Sequence, residues 1–387
     1  MRIAFVAHSR LPSTTANSIQ VVKIVQAYAQ LGHTVRMLAS EPLGEGIDPA
    51  ARPQKKASDL AAFYALDGAP FEVEWLPVNR RLRRYDYAWE AVRRARAWQA
   101  DLVYSWMPQV GLASLLQRVP LIMEIHEPPT GRFGPLLFGS LLRIPGKKRF
   151  VPLTHTMARI IERRFPLFSA NNPGHSIVVG PDAVDLAPYQ NLPAPAAARA
   201  ALKLPERLTV GHTGHMYAGR GIGLVLELAK LFPAINFVLV GGRQADVDHW
   251  QGQAAAAGVQ NMLFTGFIDR NLIPLYQAAS DILLMPYERV VAGSSGGDNA
   301  EFCSPMKMFE YLATGRAIIS SSLPAIGEVL NETNSRLCPP EDLPAWTETL
   351  RSLAADANLR QRLGQQALAD IRDYTWQARA VKVVEGF

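Results

Sequence analysis

Two α/β domains in succession are the architecture this sequence predicts, each an open, doubly wound, Rossmann-like parallel sheet, the two facing each other across a cleft. Three observations predict it. The chain has 387 residues, more than one ordinary core holds and enough for two of roughly 150 to 200 residues. An unbroken apolar run, Ile3 to Ala7, reads as a strand buried on both faces of a parallel sheet and leads into a segment of helical periodicity. After a proline- and alanine-rich stretch at 191–198, the same alternation of strand and helix begins again.

The first strand is followed by Val21, Ile24, Val25, Tyr28 and Leu31, apolar at helical spacing, with Gly32 where a helix ends in a left-handed residue. Further strands are read at Thr34 to Ala39, Asp101 to Tyr104 and Leu121 to Ile125. In residues 191–198 two prolines two apart disfavour helix and sheet alike, so the domain boundary is placed at 195/196. Beyond it, strands fit Leu208 to Thr213, Asn236 to Val240, Met262 to Thr265, Asp281 to Met285 and Ala317 to Ser321. Ligands of such sheets sit beyond the carboxyl ends of the strands. The one biased tract is a Gly/Ser loop, Ala292 to Asp298.

Composition narrows the class. With 48% hydrophobic and 19% charged residues the chain is globular rather than disordered. Its two cysteines, Cys303 and Cys338, form neither a zinc spacing nor a disulfide framework, which suits a reducing, cytoplasmic compartment. The opening apolar run stops at His8-Ser9-Arg10, too early for a secretory leader, and no run is long enough to span a bilayer. Residues 1–195 hold 23 Lys/Arg against 15 Asp/Glu, whereas the remainder holds 17 against 19. The basic half either meets something anionic or is a solvated surface.

Two stretches carry chemistry. In the first, Ser304-Pro305-Met306-Lys307-Met308-Phe309-Glu310-Tyr311-Leu312-Ala313-Thr314-Gly315, Ser304 reads as an N-cap, Pro305 as the first helical residue and Gly315 as the terminator. Amides at that helix start can hold anionic or hydroxylated groups, and Lys307 and Glu310 share a face, where they bind a ligand or form a surface ion pair. In the second, Gly211-His212-Thr213-Gly214-His215-Met216-Tyr217-Ala218-Gly219-Arg220-Gly221 joins a strand to a helix. Its small residues admit a phosphate and Arg220 can neutralise a diphosphate, while the spacing fits neither a nicotinamide nor a P-loop fingerprint.

Together with Glu124-Ile125-His126-Glu127, Gly180-Pro181-Asp182-Ala183-Val184-Asp185, Phe264-Thr265-Gly266-Phe267 and Tyr374-Thr375-Trp376, these stretches resemble the family 4 retaining glycosyltransferases of the GT-B fold. The resemblance runs along nearly the whole chain. It implies an acceptor-binding domain at 1–195, a nucleotide-sugar-binding domain at 196–370 and a helix at 371–387 that crosses back to the first domain. It implies that Glu310 bonds the donor ribose, that Arg220 lies on the diphosphate and that His126 stands near the reacting sugar. Ser304, Pro305, Met306, Lys307, Gly214, His215, Gly266 and Phe267 join the donor site. Asn17 and Ser18, in the loop after the first strand, either contact donor or make ordinary turn contacts. Phe302 stands where the family has a first glutamate, and His215 where it has an arginine.

The implied reaction is transfer of a sugar from a UDP- or GDP-sugar to a glycan, lipid-linked or small-molecule acceptor with retention, without metal and without cofactor. Other readings are a nucleotide-sugar epimerase of the same fold and a non-enzymatic polyanion-binding protein. No nucleic-acid module is recognisable. Arg80, Arg81, Arg83, Arg84, Arg93, Arg94 and Arg96, interleaved with Leu82, Tyr85, Trp89, Val92 and Trp98, form a basic amphipathic tract. A second, uncharged tract, Phe133 to Leu142, leads into Arg143, Lys147, Lys148 and Arg149. Both suit peripheral contact with an anionic membrane at its inner face, and equally a solvated helix whose arginine stems cover apolar neighbours.

Overall fold

The computed structural model describes residues 1–13, 15–41, 56–66, 71–291 and 298–387, and of Arg80 the backbone alone. The Gly/Ser loop from Ala292 through Gly297 and the Arg80 side chain lie outside the described residues. The chain divides into two compact units, Met1–Pro181 with Trp376–Phe387, and Asp182–Thr375.

The first unit alternates β1 (Arg2–Ala7), α1 (Ala16–Gln30), β2 (Thr34–Ser40), α2 (Ala57–Phe63), β3 (Glu72–Leu76), α3 (Tyr85–Ala97), β4 (Leu102–Ser105), α4 (Pro108–Leu116), β5 (Leu121–Ile125), α5 (Gly134–Arg143), β6 (Lys148–Pro152), α6 (His155–Arg164) and β7 (Ser176–Ile177). Its seven strands are ordered β3-β2-β1-β4-β5-β6-β7 and pair in parallel. Ile3 to Ala7 are fully buried, as an apolar central strand of a parallel sheet requires. The order reverses direction between β1 and β4, so a crevice opens there beyond the strand ends.

The second unit repeats the plan with α7 (Pro195–Ala201), β8 (Thr209–Thr213), α8 (Ile222–Leu231), β9 (Asn236–Val240), α9 (Gln244–Ala256), β10 (Met262–Gly266), α10 (Ile273–Ala278), β11 (Ile282–Met285), α11 (Met306–Thr314), β12 (Ala317–Ser321), β13 (Arg336–Cys338), α12 (Leu343–Ala355) and α13 (Ala357–Asp370). Its order is β10-β9-β8-β11-β12-β13, all parallel, with the reversal between β8 and β11. Alternate residues of β11 feed opposite layers. Ile282 and Leu284 pack with Trp346 and Leu350 of α12, while Leu283 and Met285 pack with Met308, Phe309 and Leu312 of α11.

Three features depart from the sequence reading. The proline-rich stretch is not a free linker, because Pro195 takes the first position of α7, where its missing N–H costs nothing. Arg199 of that helix pairs with Asp281 at 2.9 Å and Arg316 donates to the Pro193 carbonyl at 2.9 Å, so 195/196 lies inside the second unit. Strands β3, β6, β7 and β13 went unread. β3 is an edge strand carrying Glu72 and Glu74, and β6 opens with Lys148 and Arg149, whose charges disguise it. Both cations are buried, Lys148 donating to the Leu142 and Ile144 carbonyls and Arg149 to Ser176, so neither is available to a membrane. Finally, Asn17 and Ser18 lie in the first turn of α1 rather than in a loop.

The chain leaves the second unit at Thr375, and α14 (Trp376–Val384) packs in the first unit against α1. Gln377 donates to Gln30 at 2.6 Å, and Arg149 donates to the Val383 carbonyl at 2.8 Å. The two strands of the crossing are tied together, Val184 forming a parallel bridge with Thr375.

Gly364 of α13 lies against the end of α11. A Cβ there would stand 2.0 Å from the Gly315 carbonyl oxygen. Replacing a helical glycine by alanine ordinarily gains about 1 kcal/mol, but a clash with backbone costs about 1 to 3 kcal/mol or more. Gly364→Ala is therefore expected to lower the midpoint of thermal unfolding, measured by calorimetry, and a raised midpoint would contradict this packing.

Candidate functional site

In the second unit the candidate side chains gather at the sheet's reversal point. β8 ends at Thr213 and runs into the glycine loop, while β11 ends at Met285 and runs into Pro286-Tyr287-Glu288. The loop is held by close backbone approach. Gly221 has φ +70°, and a Cβ there would lie 1.6 Å from the Pro286 carbonyl oxygen, so no side chain fits. The Glu288 carboxylate accepts from the amides of Gly219 at 3.1 Å and Gly221 at 3.2 Å, clamping both neighbours of Arg220.

Arg220 and Lys307 share one aromatic ring. The Arg220 guanidinium lies 5.0 Å from the Tyr287 centroid and the Lys307 Nζ 5.4 Å from it. Arg220 also stacks on Tyr217 at 4.7 Å and donates to its hydroxyl. Among the described residues neither cation has a carboxylate partner, and Arg220 Nε and Lys307 Nζ are buried without a hydrogen-bond acceptor. Although the Lys307 stem is partly exposed, its ammonium is sealed, and burial together with Arg220 pulls its pKa down to about 7. A Cβ at Gly214 would come within 3.0 Å of that ammonium, so glycine there makes its room.

Lys307 and Glu310 do not pair with each other. Glu310 instead lies 3.6 Å from Arg270 and accepts from Gln277 Nε2 at 3.4 Å. Gln277 also donates to the Thr213 hydroxyl at 3.1 Å, and the Tyr311 hydroxyl accepts from the Thr213 amide at 2.8 Å. Behind them His212 is fully buried, its pKa held well below the usual range by burial and by Lys307. His215 is exposed, its ring tilted against Tyr217 with the centroids 5.4 Å apart. Gly266 has φ +64° and bonds the Gly241 amide through its carbonyl at 2.9 Å, while Phe267 is 70% exposed.

The N-terminus of α11 differs in detail from its reading. Pro305, not Ser304, precedes the first helical residue Met306, and no side chain caps the helix. The Ser304 hydroxyl accepts from the Asp182 amide at 3.0 Å, tying the start of the unit to this turn. Because the cap is proline, the first-turn amides have no side-chain acceptor from that position.

In the first unit the carboxyl ends of the neighbouring strands β1, β4 and β5 are followed by His8, Trp106 and His126. His126 Nε2 lies 2.8 Å from Glu124 Oε2, and its ring stacks on Trp106 at 5.7 Å. Glu124 is wholly buried, bonded by Tyr104 and by the Arg379 guanidinium of α14. Burial would raise its pKa, but Arg379, aided by His126 and Tyr104, holds it at about 2. Asn17 accepts from the Ser9 hydroxyl. Ser18 is buried, its hydroxyl taken up by the Ser13 and Thr15 carbonyls at 2.8 Å each.

Sequence reasoning missed Tyr287, Glu288, Arg270 and Gln277 in the second unit and Trp106 and Arg379 in the first. Tyr287 and Glu288 had a signal, since Pro286-Tyr287-Glu288 directly follows a strand end. Trp106 had the same one. Arg379 had none, because only the fold brings it to Glu124.

Residues 18–193 match the glycosyl transferase 4-like domain, and residues 207–356 match the glycosyl transferases group 1. Over 133 residues, 34% of this chain, the sequence is 27% identical to a Bacillus subtilis (strain 168) protein named as a teichuronic acid biosynthesis glycosyltransferase. That match spans 31% of the relative's length. Among solved structures, the Anabaena protein HepE in complex with UDP superposes with a TM-score of 0.72 at 16% identity, covering 100% of this chain and 99% of its own. A glycosyltransferase from Rickettsia africae gives 0.76 at 12% identity, covering 99% and 97%. Sucrose-phosphate synthase from Thermosynechococcus elongatus gives 0.69 at 17% identity, covering 99% and 97%. These structures share the fold, and with both family segments in order along the chain, the protein belongs to the group 1 glycosyltransferases of the GT-B fold.

Proposed function

We propose that this protein transfers a sugar from a UDP- or GDP-sugar to a glycan, lipid-linked or small-molecule acceptor, with retention of configuration and without a metal. The observation that carries the proposal is the pairing of Arg220 and Lys307 on one tyrosine ring, with buried Nε and Nζ atoms that have no acceptor among the described residues. Buried donors are costly to leave unpaired, and a diphosphate supplies several oxygens at once. HepE, a structural neighbour, was solved with UDP and with UDP-glucose, which supports a nucleoside diphosphate as the ligand.

In this reading Glu310 accepts the ribose hydroxyls, with Arg270 and Gln277 fixing its carboxylate. The amides at the start of α11 and of the glycine loop face the phosphates. As the bond from the anomeric carbon to the diphosphate oxygen breaks, negative charge grows on the leaving group, and Arg220 and Lys307 stabilise it. The acceptor hydroxyl attacks from the same face and passes its proton to the departing phosphate oxygen. No side-chain nucleophile is involved. His126, on the first unit, contacts the reacting sugar.

Occupied by an anion, Lys307 takes up a proton that the empty site disfavours. Its pKa in the free protein is about 7, so affinity for UDP or GDP is full below that pH and falls as pH rises above it. Isothermal titration is expected to show a decline of roughly tenfold per pH unit above neutrality, flattened in Lys307→Met. Absence of binding by both nucleotides at neutral pH would refute the donor assignment.

Arg220→Ala should lower kcat more than it weakens donor binding, by about 100-fold or more, because the charge it meets is largest in the transition state. Chelator should leave the wild-type rate unchanged. A purely binding effect, or loss of rate in EDTA, would count against the mechanism.

Peripheral membrane contact rests on exposed apolar residues. Leu82, Tyr85 and Trp89 are 53%, 44% and 50% exposed, and Phe133 and Leu136 are 56% and 69% exposed. Tyr85 and Trp89 lie on α3 and Leu136 on α5, and both helices pack against α4. Arg93 and Arg94 are already paired with Glu90, so the cations to test are the three beside Leu82 and Tyr85 in sequence, Arg81, Arg83 and Arg84. No helix among the described residues is long and apolar enough to cross a membrane. Replacing those three arginines by glutamine should reduce cosedimentation with anionic vesicles, each contributing about 1 kcal/mol near such a surface. Equal binding to anionic and neutral vesicles would remove this part of the proposal.

A further inference from the structure

His126 is gripped from two sides. Its ring lies on Trp106 with an interplanar angle of 26°, and Nε2 meets Glu124 Oε2 at 2.8 Å. The other oxygen, Glu124 Oε1, is bonded by the Tyr104 hydroxyl and by Arg379. Arg379 is itself held by the last residues of the unit before the chain leaves it. Its Nε donates to the Pro181 carbonyl at 2.8 Å and its terminal nitrogen to the Gly180 carbonyl at 3.1 Å. A second terminal nitrogen donates to Tyr104 at 3.2 Å.

A carboxylate with no exposure would ordinarily take a proton and become a donor. The guanidinium prevents this. An ionised carboxylate only accepts, so the nitrogen facing it must carry the hydrogen. The tautomer of His126 is thus fixed through a chain of contacts that starts on α14, where Arg379 stands 255 residues beyond Glu124 in sequence.

We propose that Glu124 and Arg379 are positioning residues that lock His126 as the Nε2–H tautomer, leaving Nδ1 as the ring's acceptor, so that docking of α14 sets the chemistry offered to the reacting sugar. This rests on the placement of His126 at that sugar. An orienting carboxylate of this kind fixes both the direction and the proton of an imidazole, and losing it leaves the ring in place with the wrong nitrogen protonated.

The test uses full-length protein labelled with 15N-histidine. The wild-type spectrum is expected to show His126 with a protonated Nε2 and an unprotonated Nδ1 before any donor is added. Glu124→Gln should give a mixture of tautomers and a kcat lowered by about tenfold or more, with the donor KM within about twofold. Arg379→Lys, which keeps the charge, should lose less activity than Arg379→Met. A wild-type Nδ1–H tautomer, or a Glu124→Gln protein with unchanged spectrum and kcat, would overturn the proposal. The wild-type spectrum needs no variant to fold and no turnover. His126→Ala with unchanged kcat would instead overturn the underlying reading of that residue, a failure the spectrum distinguishes.

Discussion

An arginine and a lysine set on one tyrosine ring, with no carboxylate against either among the described residues, are the constraint around which the second unit is built. An unpaired buried cation is among the costliest things a fold can hold, and a lysine answers by giving up its proton. Here the pKa of Lys307 falls to about 7 in response. Arginine has no such escape, so Arg220 is packed between Tyr217 and Tyr287 and its loop is clamped by Glu288. The glycines at 214 and 221 serve the same end, one leaving room for the ammonium and the other letting the loop lie against Pro286. Stability that more compatible side chains would supply is given up at this spot, as is common where a protein binds something.

The first unit handles its buried charge in the opposite way. Arg379 and Glu124 neutralise each other completely, and the hydrogen bonds to Tyr104, His126, Gly180 and Pro181 leave little of either group unsatisfied. A completed network of this sort rigidifies what it touches. The two sites therefore differ in what they offer. One holds Arg220 and Lys307 against aromatic rings, and the other presents a single, already oriented ring.

The central strands were legible because burial on both faces demands unbroken apolar runs, as in Ile3 to Ala7 and Ile282 to Met285. The strands that escaped are those where this demand is relaxed. β3 sits on an edge, and β6 hides Lys148 and Arg149 behind carbonyl partners that no local pattern announces. The proline-rich stretch misled because proline opens helices as readily as it forbids their interiors, and Pro195 does the former. At the candidate sites, Arg220, Lys307, Glu310 and His126 could be found from glycine spacing, helix periodicity and family likeness. Their supports could not. Glu288 reaches the loop from another strand end, and Arg379 reaches Glu124 from the last helix, contacts that depend on strand order rather than on neighbours in sequence.

The path of the chain through the two units carries a last consequence. Residues 182–375 form one uninterrupted segment, and its ends are joined by the Val184–Thr375 bridge and by the Val184 amide bonding the Tyr374 carbonyl at 3.0 Å. In topological terms the second unit is an insertion between α14 and the rest of its host. Segments whose ends meet are the ones that can be excised or exchanged while the host still closes upon itself. Such a cassette arrangement would let the inserted sheet be exchanged without disturbing the helix that completes the other.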